Sequence, residues 1–347
     1  MHTRTARISV VVVLTFTISV FVTAPVRAAV QHGAVAPAVP AAVSELAKVT
    51  LSDTSVNAPG FAVDAQQGIG AVIAWAGTDS LHRINLMTSS DGLHYDHKLT
   101  LSQTTINRPA VAREPASAGG AVALAWRGTD SFHTLNVLYD PYGVHGQPQH
   151  LVTAQTSFTT PAIAFFQGKL LLAWTGTDPN HSLNVLPIAL PNPAFVPGTK
   201  TVLTQFSASA GPNLSVVVHG GSANGLVLSW ATTTGQLNLA QSTDGVHFTS
   251  ALGSGLAETS PSSPAFLHFQ TEGGPEFWIA WTGTDSGSHL NVKWTPTSSY
   301  PQWTGAKTVL PELALGGPGL GFQEGLLIAW TGTDSAHHLN VARLQGS

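Results

Sequence analysis

The stretch Ile328-Ala329-Trp330-Thr331-Gly332-Thr333-Asp334-Ser335-Ala336-His337-His338-Leu339-Asn340-Val341 recurs six times along this 347-residue chain, once in degenerate form. Each copy joins an apolar segment ending in tryptophan, a Gly-Thr-Asp turn and a second apolar segment. The copies are marked by Trp75, Trp126, Trp174, Trp230, Trp281 and Trp330, spaced 51, 48, 56, 51 and 49 residues apart. A period near 50 indicates one supersecondary unit per copy.

Each copy divides into four short strands. In the second copy we place them at Pro109–Ala112, Gly120–Arg127, Leu135–Tyr139 and Gln149–Thr153. Short strands at regular spacing, separated by Gly, Pro, Asn and Ser, indicate an all-β fold, and no helical period interrupts them. Four strands per repeat are typical of a propeller blade. The sequence therefore predicts an all-β, six-bladed β-propeller of four-stranded blades.

The two ends of the chain complement each other. The last copy ends after its third strand, Leu339–Leu344, and lacks a fourth. A surplus segment before the first copy, Leu46–Leu51, matches the fourth strands Lys98–Leu101 and Lys307–Leu310. We therefore predict that the N-terminal strand closes the last blade, which would remove an exposed sheet edge.

The N-terminus has the pattern of a secretory signal peptide over residues 1–28. Arg4 and Arg7 precede an uncharged run, Ile8–Thr23, and Val26–Ala28 offers small residues for cleavage. A retained membrane anchor is the alternative, although 16 residues are short for a span of about 20. We predict a signal peptide at 1–28, a flexible tether at 29–44, the propeller at 45–347, and a secreted protein.

The composition limits the classes of partner. Charged residues make up 9% of the chain, against about 25% in a typical globular protein. The net charge is −4, and without the three arginines of residues 1–28 it becomes −7. Nucleic-acid binding depends on clustered Lys and Arg, so it is excluded. The chain has no cysteine, so no disulfide holds the core. We expect a neutral, polar surface, a monomer and no cofactor.

The Gly-Thr-Asp turn has two interpretations. Glycine and aspartate stabilise turns, which is a purely structural role. Histidines follow most of the aspartates, however, and together they offer polar groups to sugar hydroxyls on one face. The candidate ligand-binding residues are Asp79, His82, Asp130, His133, Asp178, His181, Asp285, His289, Asp334 and His337. Metal binding is possible in principle, but one Asp and one His per turn are too few, so we predict no metal site.

Two predicted third-to-fourth turns, Ser89–Tyr95 and Ser242–Phe248, resemble the Asp-box of sialidases and related glycosidase propellers. The resemblance covers seven residues in each of two blades. It implies a folding element on the face away from the active site. It also implies, as an alternative function, a sialidase-like glycoside hydrolase with three arginines on a substrate carboxylate, a tyrosine nucleophile paired with glutamate, and an acidic aspartate.

The residues needed for that chemistry are only partly present. Arg83, Arg108 and Arg127 are candidates for carboxylate binding, because an arginine fork matches a carboxylate. Asp53 and Glu258 fall in loops on the same face as these arginines and could act as acids. The tyrosines Tyr95, Tyr139, Tyr142 and Tyr300 all fall at or beside third-to-fourth turns, on the opposite face. We therefore predict no catalytic residue.

A second resemblance is to bacterial propeller lectins that bind fucose and related sugars between blades. It rests on Trp281-Thr282-Gly283-Thr284-Asp285 together with Ser262-Ser263-Pro264-Ala265. It implies a non-catalytic protein that binds glycans or cell-surface polysaccharide at several weak sites and gains strength by multivalency. A protein-interaction scaffold without a small ligand is a third hypothesis.

Overall fold

A computed structural model describes residues 43–63, 70–114, 120–140, 148–190, 196–219, 222–251, 256–271 and 274–345. These residues form six antiparallel sheets and no helix, and so no helix of the described chain is long and apolar enough to cross a membrane. The predicted six-bladed propeller is confirmed. The predicted signal peptide, Tyr142 and all of the tether except Val43 and Ser44 lie outside the described residues.

The strands of each blade run outward in chain order, except that the first strand of the chain belongs to the last blade. The chain opens with β1 (Ser44–Thr54). Blade 1 contains β2 (Gly60–Val63), β3 (Ala71–Ala76), β4 (Arg83–Ser89) and β5 (Asp96–Thr104). Blade 2 contains β6 (Ala110–Arg113), β7 (Val122–Arg127), β8 (Thr134–Asp140) and β9 (Gln149–Thr156). Blade 3 contains β10 (Ala162–Phe166), β11 (Lys169–Thr175), β12 (Ser182–Ala189), the two-residue β13 (Val196–Pro197) and β14 (Thr201–Ser207).

The second half repeats this plan. Blade 4 contains β15 (Asn213–His219), β16 (Ser222–Ala231), β17 (Leu237–Ser242) and β18 (Thr249–Ser250). Blade 5 contains β19 (Ala265–Thr271), β20 (Gly274–Thr282), β21 (His289–Pro296) and β22 (Thr308–Leu313). Blade 6 contains β23 (Gly319–Phe322), β24 (Leu326–Thr331) and β25 (His338–Gln345), and β1 is its fourth strand.

The closure of blade 6 joins the two ends of the described chain. Strand β1 pairs antiparallel with β25, from Ser44 opposite Gln345 to Thr54 opposite His338. The prediction that the N-terminal strand completes the last blade is therefore confirmed. Without β1, the outer edge of β25 would present unpaired backbone groups, which attract other chains.

The core lies between the blades. Second strands such as β3 and β24 are buried at every position, because each is covered on both faces by a neighbouring blade. This explains their continuous apolar sequence. The inner strands approach each other closely: a Cβ added to Gly60 would lie 2.2 Å from the carbonyl oxygen of Pro109 in the next blade. Only glycine fits there.

The repeated tryptophans are structural. All six are at most 2% exposed. Lys98 lies 5.3 Å above the Trp75 ring, and Lys48 lies 5.3 Å above the Trp330 ring. In blade 2 the lysine is replaced by His150, which stacks on Trp126 with ring centroids 5.4 Å apart. In these three blades an outer-strand side chain thus covers the tryptophan of its own blade.

The order of strands sorts the loops onto two faces. The second-to-third turns and the links from one blade to the next share one face, which we call the turn face. The first-to-second and third-to-fourth turns share the opposite face. On this opposite face, the Gln323 amide of blade 6 donates to the Ser90 carbonyl of blade 1, and Gln167 of blade 3 donates to Thr243 of blade 4 at 3.2 Å. The junction between blades 6 and 1 (6/1) and the junction between blades 3 and 4 (3/4) therefore have the same arrangement of contacts.

We expect Gly92→Ala to destabilise the 6/1 junction. Gly92 has φ of +80°, and an added Cβ would lie 2.4 Å from Cδ1 of Leu327, a fully buried side chain. The matched control is Gly168→Ala, where φ is +71° but nothing lies within 4 Å of the added Cβ. The control should lose about 1–2 kcal/mol from backbone strain alone, and Gly92→Ala about 1–3 kcal/mol more from overpacking. Equal losses in urea unfolding would contradict the packing argument.

We also expect blade closure to depend on β1. A chain that begins at Gly60 lacks this strand, whereas a chain that begins at Val43 keeps it. The shorter chain should melt about 10 °C lower or more and should associate through the open edge of β25. Differential scanning calorimetry and light scattering measure both effects. Equal melting temperatures and a monomeric shorter chain would show that the ring does not need this strand.

Candidate functional site

The turn face is built from five Gly-Thr-Asp turns in which the aspartate caps its own turn. In blade 2, Oδ1 of Asp130 accepts from the Phe132 amide at 3.0 Å, and Oδ2 accepts from the Thr134 amide at 3.1 Å. The Thr134 hydroxyl donates to Oδ1 at 3.0 Å. Equivalent amide bonds occur at Asp79, Asp178, Asp285 and Asp334. These carboxylates are therefore engaged in holding backbone.

The glycine and the asparagine of the repeat serve the same turn. A Cβ on Gly128 would lie 2.5 Å from Oδ2 of Asp130, so the carboxylate needs a glycine beside it. Nδ2 of Asn136 donates to the Thr134 carbonyl at 3.0 Å. All three recurring residue types thus share one network.

The threonine of the turn joins neighbouring blades. The Thr129 and Thr104 hydroxyls lie 3.0 Å apart, which links the turn of blade 2 to the outer strand of blade 1. The same hydroxyl contact recurs at three other junctions, at Thr54 and Thr78, Thr156 and Thr177, and Thr259 and Thr284.

The recurring histidines occupy a left-handed backbone position. His82, His133, His181 and His337 have φ between 50° and 58°. Histidine is enriched among the non-glycine residues that adopt this region. In each case the carbonyl of this residue accepts an amide from the link that leaves the blade, as at His133 and Ser157, 3.2 Å apart. The position of the histidine therefore has a backbone role, while its ring is half-buried and partly accessible.

The fourth blade achieves the same geometry with other residues. Its turn lacks Gly-Thr-Asp, and the Thr232 hydroxyl accepts from the Gln236 amide at 3.1 Å in place of the carboxylate. Gly235 replaces the histidine, with φ of +81°, and its carbonyl accepts from the Ser260 amide at 2.8 Å. The αL carbonyl is thus present in this blade too.

Aromatic and imidazole rings give the turn face its surface character. Phe132 at the tip of the blade 2 turn is 75% exposed. Phe158 packs on the His181 ring, with centroids 4.1 Å apart. His289 and His338 each place Nδ1 beside the aspartate of their own turn, at 2.6 Å and 2.8 Å. The ten candidate residues lie in repeated turns on the turn face, and ligand binding by them stays a prediction.

The electrostatics of the turns follows from these bonds. The hydrogen bonds from the His289 side chain and amides hold the pKa of Asp285 below its ordinary value. At Asp130 desolvation acts in the opposite direction, but the bonds from Thr134 and Phe132 outweigh it and lower the pKa. Each turn aspartate is thus a stable anion, poorly suited to act as a general acid.

The three candidate arginines do not form one cluster. Arg108 is 9% exposed, lines a cavity at the centre of the ring, which we call the central cavity, and donates from Nη1 to the Pro318 carbonyl at 3.2 Å. Arg127 does not line the cavity and donates to the Ser157 carbonyl and to Oδ1 of Asn107. Arg83 is exposed in the blade 1 turn, also away from the cavity lining. The structure therefore puts one of the three in the centre of the ring.

The central cavity has a volume of about 280 Å³ and is lined by the inner strands. Sequence analysis missed it, because its walls come from six short segments far apart in the chain. One signal was available: the residue before the proline that opens each inner strand is small in five blades and is Arg108 in the sixth. The five others are Ala58, Thr160, Gly211, Ser263 and Gly317.

The acids and tyrosines discussed from sequence have structural partners or buried positions. Asp53 pairs with Lys98, and Glu258 pairs with Lys307 at 3.0 Å. Tyr95 and Tyr300 come just after third strands, at the opposite face, and burial raises the pKa of both phenols. A tyrosine nucleophile must lose its proton, and burial of the phenol opposes that loss.

No family model and no curated protein matches the sequence. The fold, however, is similar to several solved propellers. An α-L-arabinofuranosidase from Fusarium graminearum aligns with TM-score 0.57 and 12% identity, over 87% of this chain and 98% of that one. The lectin of Aleuria aurantia, solved with Fucα1-6GlcNAc, aligns with TM-score 0.58 and 8% identity, over 83% and 96%.

A third similar structure is the Trypanosoma rangeli sialidase solved with sialic acid. It aligns with TM-score 0.52 and 9% identity, over 87% of this chain and 58% of that one. The predicted resemblance to sialidase-type and lectin propellers is thus confirmed at the level of fold. Identities this low carry no residue roles across, and the same architecture is found in both binding proteins and hydrolases.

We expect the unfolding free energy to fall at acid pH through Asp91 and Asp244, which lie in third-to-fourth turns on the opposite face. Bonds from the His247 side chain and amide lower the pKa of Asp244, and bonds from the His94 amide and side chain lower that of Asp91. A carboxyl whose folded pKa is depressed stabilises the fold above its unfolded value of about 3.9, and the effect disappears as pH falls through the folded pKa.

The test is urea unfolding between pH 6 and pH 2. The double variant Asp91→Asn, Asp244→Asn keeps an oxygen acceptor but has no charge to lose, so its stability should fall less steeply below about pH 4. The side chains are 40% and 48% exposed, so salt should shrink the difference. Identical pH profiles for the variant and the parent would count against this origin of acid sensitivity.

Proposed function

We propose that this propeller binds neutral carbohydrate on its turn face, at several weak sites, without hydrolysing it. The observation that carries the proposal is the repetition of one exposed turn around the ring, with half-buried imidazoles beside exposed Ser and Thr hydroxyls. Such a surface offers many hydroxyl and imidazole donors and acceptors beside the five turn carboxylates, which suits sugar hydroxyls. The exposed Phe132 and the Phe158–His181 pair add apolar area for the C–H face of a sugar ring.

The similar structures support carbohydrate as the ligand class. They include a lectin with a fucosylated disaccharide, an arabinofuranosidase with an iminosugar and a sialidase with sialic acid. Weak sites repeated on one rigid face gain strength when a branched glycan or a cell surface engages several together. The sequence of residues 1–28 supports a secreted protein that meets such glycans outside the cell.

The composition of the centre favours binding over hydrolysis. Glycosidases of the common type use two carboxyl groups about 5–10 Å apart. The described lining of the central cavity contains a single carboxyl, Glu114, and no tyrosine. In addition, in the Ser-x-Asp-Gly turns that begin at Ser89 and Ser242, the serine hydroxyl and the aspartate carboxylate accept backbone amides of the same turn. These bonds support an Asp-box, a motif with a folding role.

A glycan array with the labelled chain tests the proposal. We expect binding to a coherent class of neutral glycans, and a loss of at least about tenfold in the double variant His133→Asn, His337→Asn. Asparagine tolerates the left-handed backbone, so the turn is kept while the imidazole is removed. The matched control is His247→Asn, on the opposite face beside Asp244.

Three outcomes would contradict the proposal in different ways. A blank array at high protein concentration would remove carbohydrate binding for the displayed sugars. Full binding by the His133/His337 variant would move the site away from these turns. Release of the fluorophore from fluorogenic sialosides or arabinofuranosides would show that the protein is a hydrolase and not a non-catalytic lectin.

A further inference from the structure

Arg108 is an exception in the repeat. The residue before the inner-strand proline occupies the same place in the repeat in all six blades, and five blades use Ala, Thr, Ser or Gly there. The fold therefore does not need a long side chain at this position. The Arg108 guanidinium reaches from blade 2 past blade 1 to the Pro318 carbonyl of blade 6, so that it lies across the turn-face mouth of the central cavity.

This guanidinium is buried without a counter-charge. It makes one hydrogen bond and no ion pair with the described residues, and desolvation alone lowers the pKa of Arg108 to about 10. Lys48 and Lys98, by contrast, are partly exposed and pair with Glu312 and Asp53. A buried charge without a partner is costly, and an anion in the cavity would offset that cost.

The walls of the cavity are mainly apolar. Val63, Phe165, Val216, Val218 and Phe322 line it and are only partly buried, so they present hydrocarbon to the open space. Among the described residues of the lining, the ionisable side chains besides Arg108 are Arg113, Glu114 and His268. Apart from His268, the described lining carries two arginines against one glutamate, a surplus of one positive charge. The interior thus combines apolar walls with room for one negative charge.

We propose that the central cavity is a binding site for an amphipathic organic monoanion, with its carboxylate on Arg108 and its hydrocarbon part along the inner strands. The volume of about 280 Å³ admits a small ligand such as a medium-chain fatty acid or an arylalkanoic acid. The mainly apolar walls favour a hydrocarbon chain over a polyhydroxylated sugar, since hydroxyls placed against them would lose their hydrogen bonds to water. The site is separate from the glycan-binding turns and does not depend on them.

Isothermal titration calorimetry with decanoate as the probe tests this site. We expect decanoate to bind, and decan-1-ol, which has the same chain without the charge, to bind at least about tenfold more weakly. Arg108→Thr copies the residue found in blade 3 and should reduce decanoate affinity by a similar factor. Arg83→Ala removes an exposed arginine outside the cavity and should change nothing.

Arg108→Thr is also expected to melt at or above the parent temperature, because it removes a buried, uncompensated charge. Glycan binding by the same variant should be unchanged. A blank glycan array and an absence of decanoate binding are therefore separate results, and each contradicts only its own proposal. No binding of decanoate at about 1 mM would overturn the inference. Equal affinities for decanoate and decan-1-ol in the parent chain would do the same, with no variant needed.

Discussion

The ring depends on one backbone interaction, the hydrogen bond between the αL carbonyl of each second-to-third turn and the link that leaves the blade. In blade 1 the Thr105 amide donates to the His82 carbonyl at 3.0 Å, and in blade 5 the Ala314 amide donates to Ser288 at 3.1 Å. At four of the six junctions the next amide along the link then donates to the second strand of the following blade, as Phe158 does to Thr175 at 3.0 Å. At these four junctions the link is thereby tied to two blades, which fixes their relative placement. A left-handed residue must be present for this carbonyl to point outward, and the Asp cap holds the turn that places it there.

This constraint explains why the fold was predictable and the site was not. The period of the tryptophans and the missing fourth strand after Leu344 are consequences of packing between blades, so they specify the ring directly. The Asp and His residues recur because the turn needs a cap and an αL position, and recurrence alone cannot separate that need from ligand binding. Sequence cannot show which atoms of Asp130 are already bonded. The structure shows that both carboxylate oxygens accept backbone amides, so any ligand must be recognised mainly by the rings and hydroxyls around them.

The six junctions are not equivalent. The Gln amides at 6/1 and 3/4 act with glycines whose positive φ lets a turn lie against the neighbouring blade, Gly92 on Leu327 and Gly245 on Leu171. These junctions are three blades apart, so the chain has an approximate twofold plan imposed on its sixfold repeat. One of them is the junction where blade 6, closed by the N-terminal strand, meets blade 1. The chain is discontinuous inside blade 6, between β25 and β1, and the glutamine and glycine contacts at 6/1 are the same as at 3/4.

Departures from the repeat are therefore more informative than the repeat itself. A residue that recurs at every blade is accounted for by packing, capping or αL geometry, whereas Arg108 stands where five blades use a small side chain and where its charge has no structural partner. Natural sequences break local rules chiefly where function requires it. Propellers have a central space by construction, and neutral, small residues at its mouth satisfy the fold at lower cost. A negative group beside the guanidinium would offset the cost of its burial, and the mainly apolar walls beneath favour a hydrocarbon part in such a ligand.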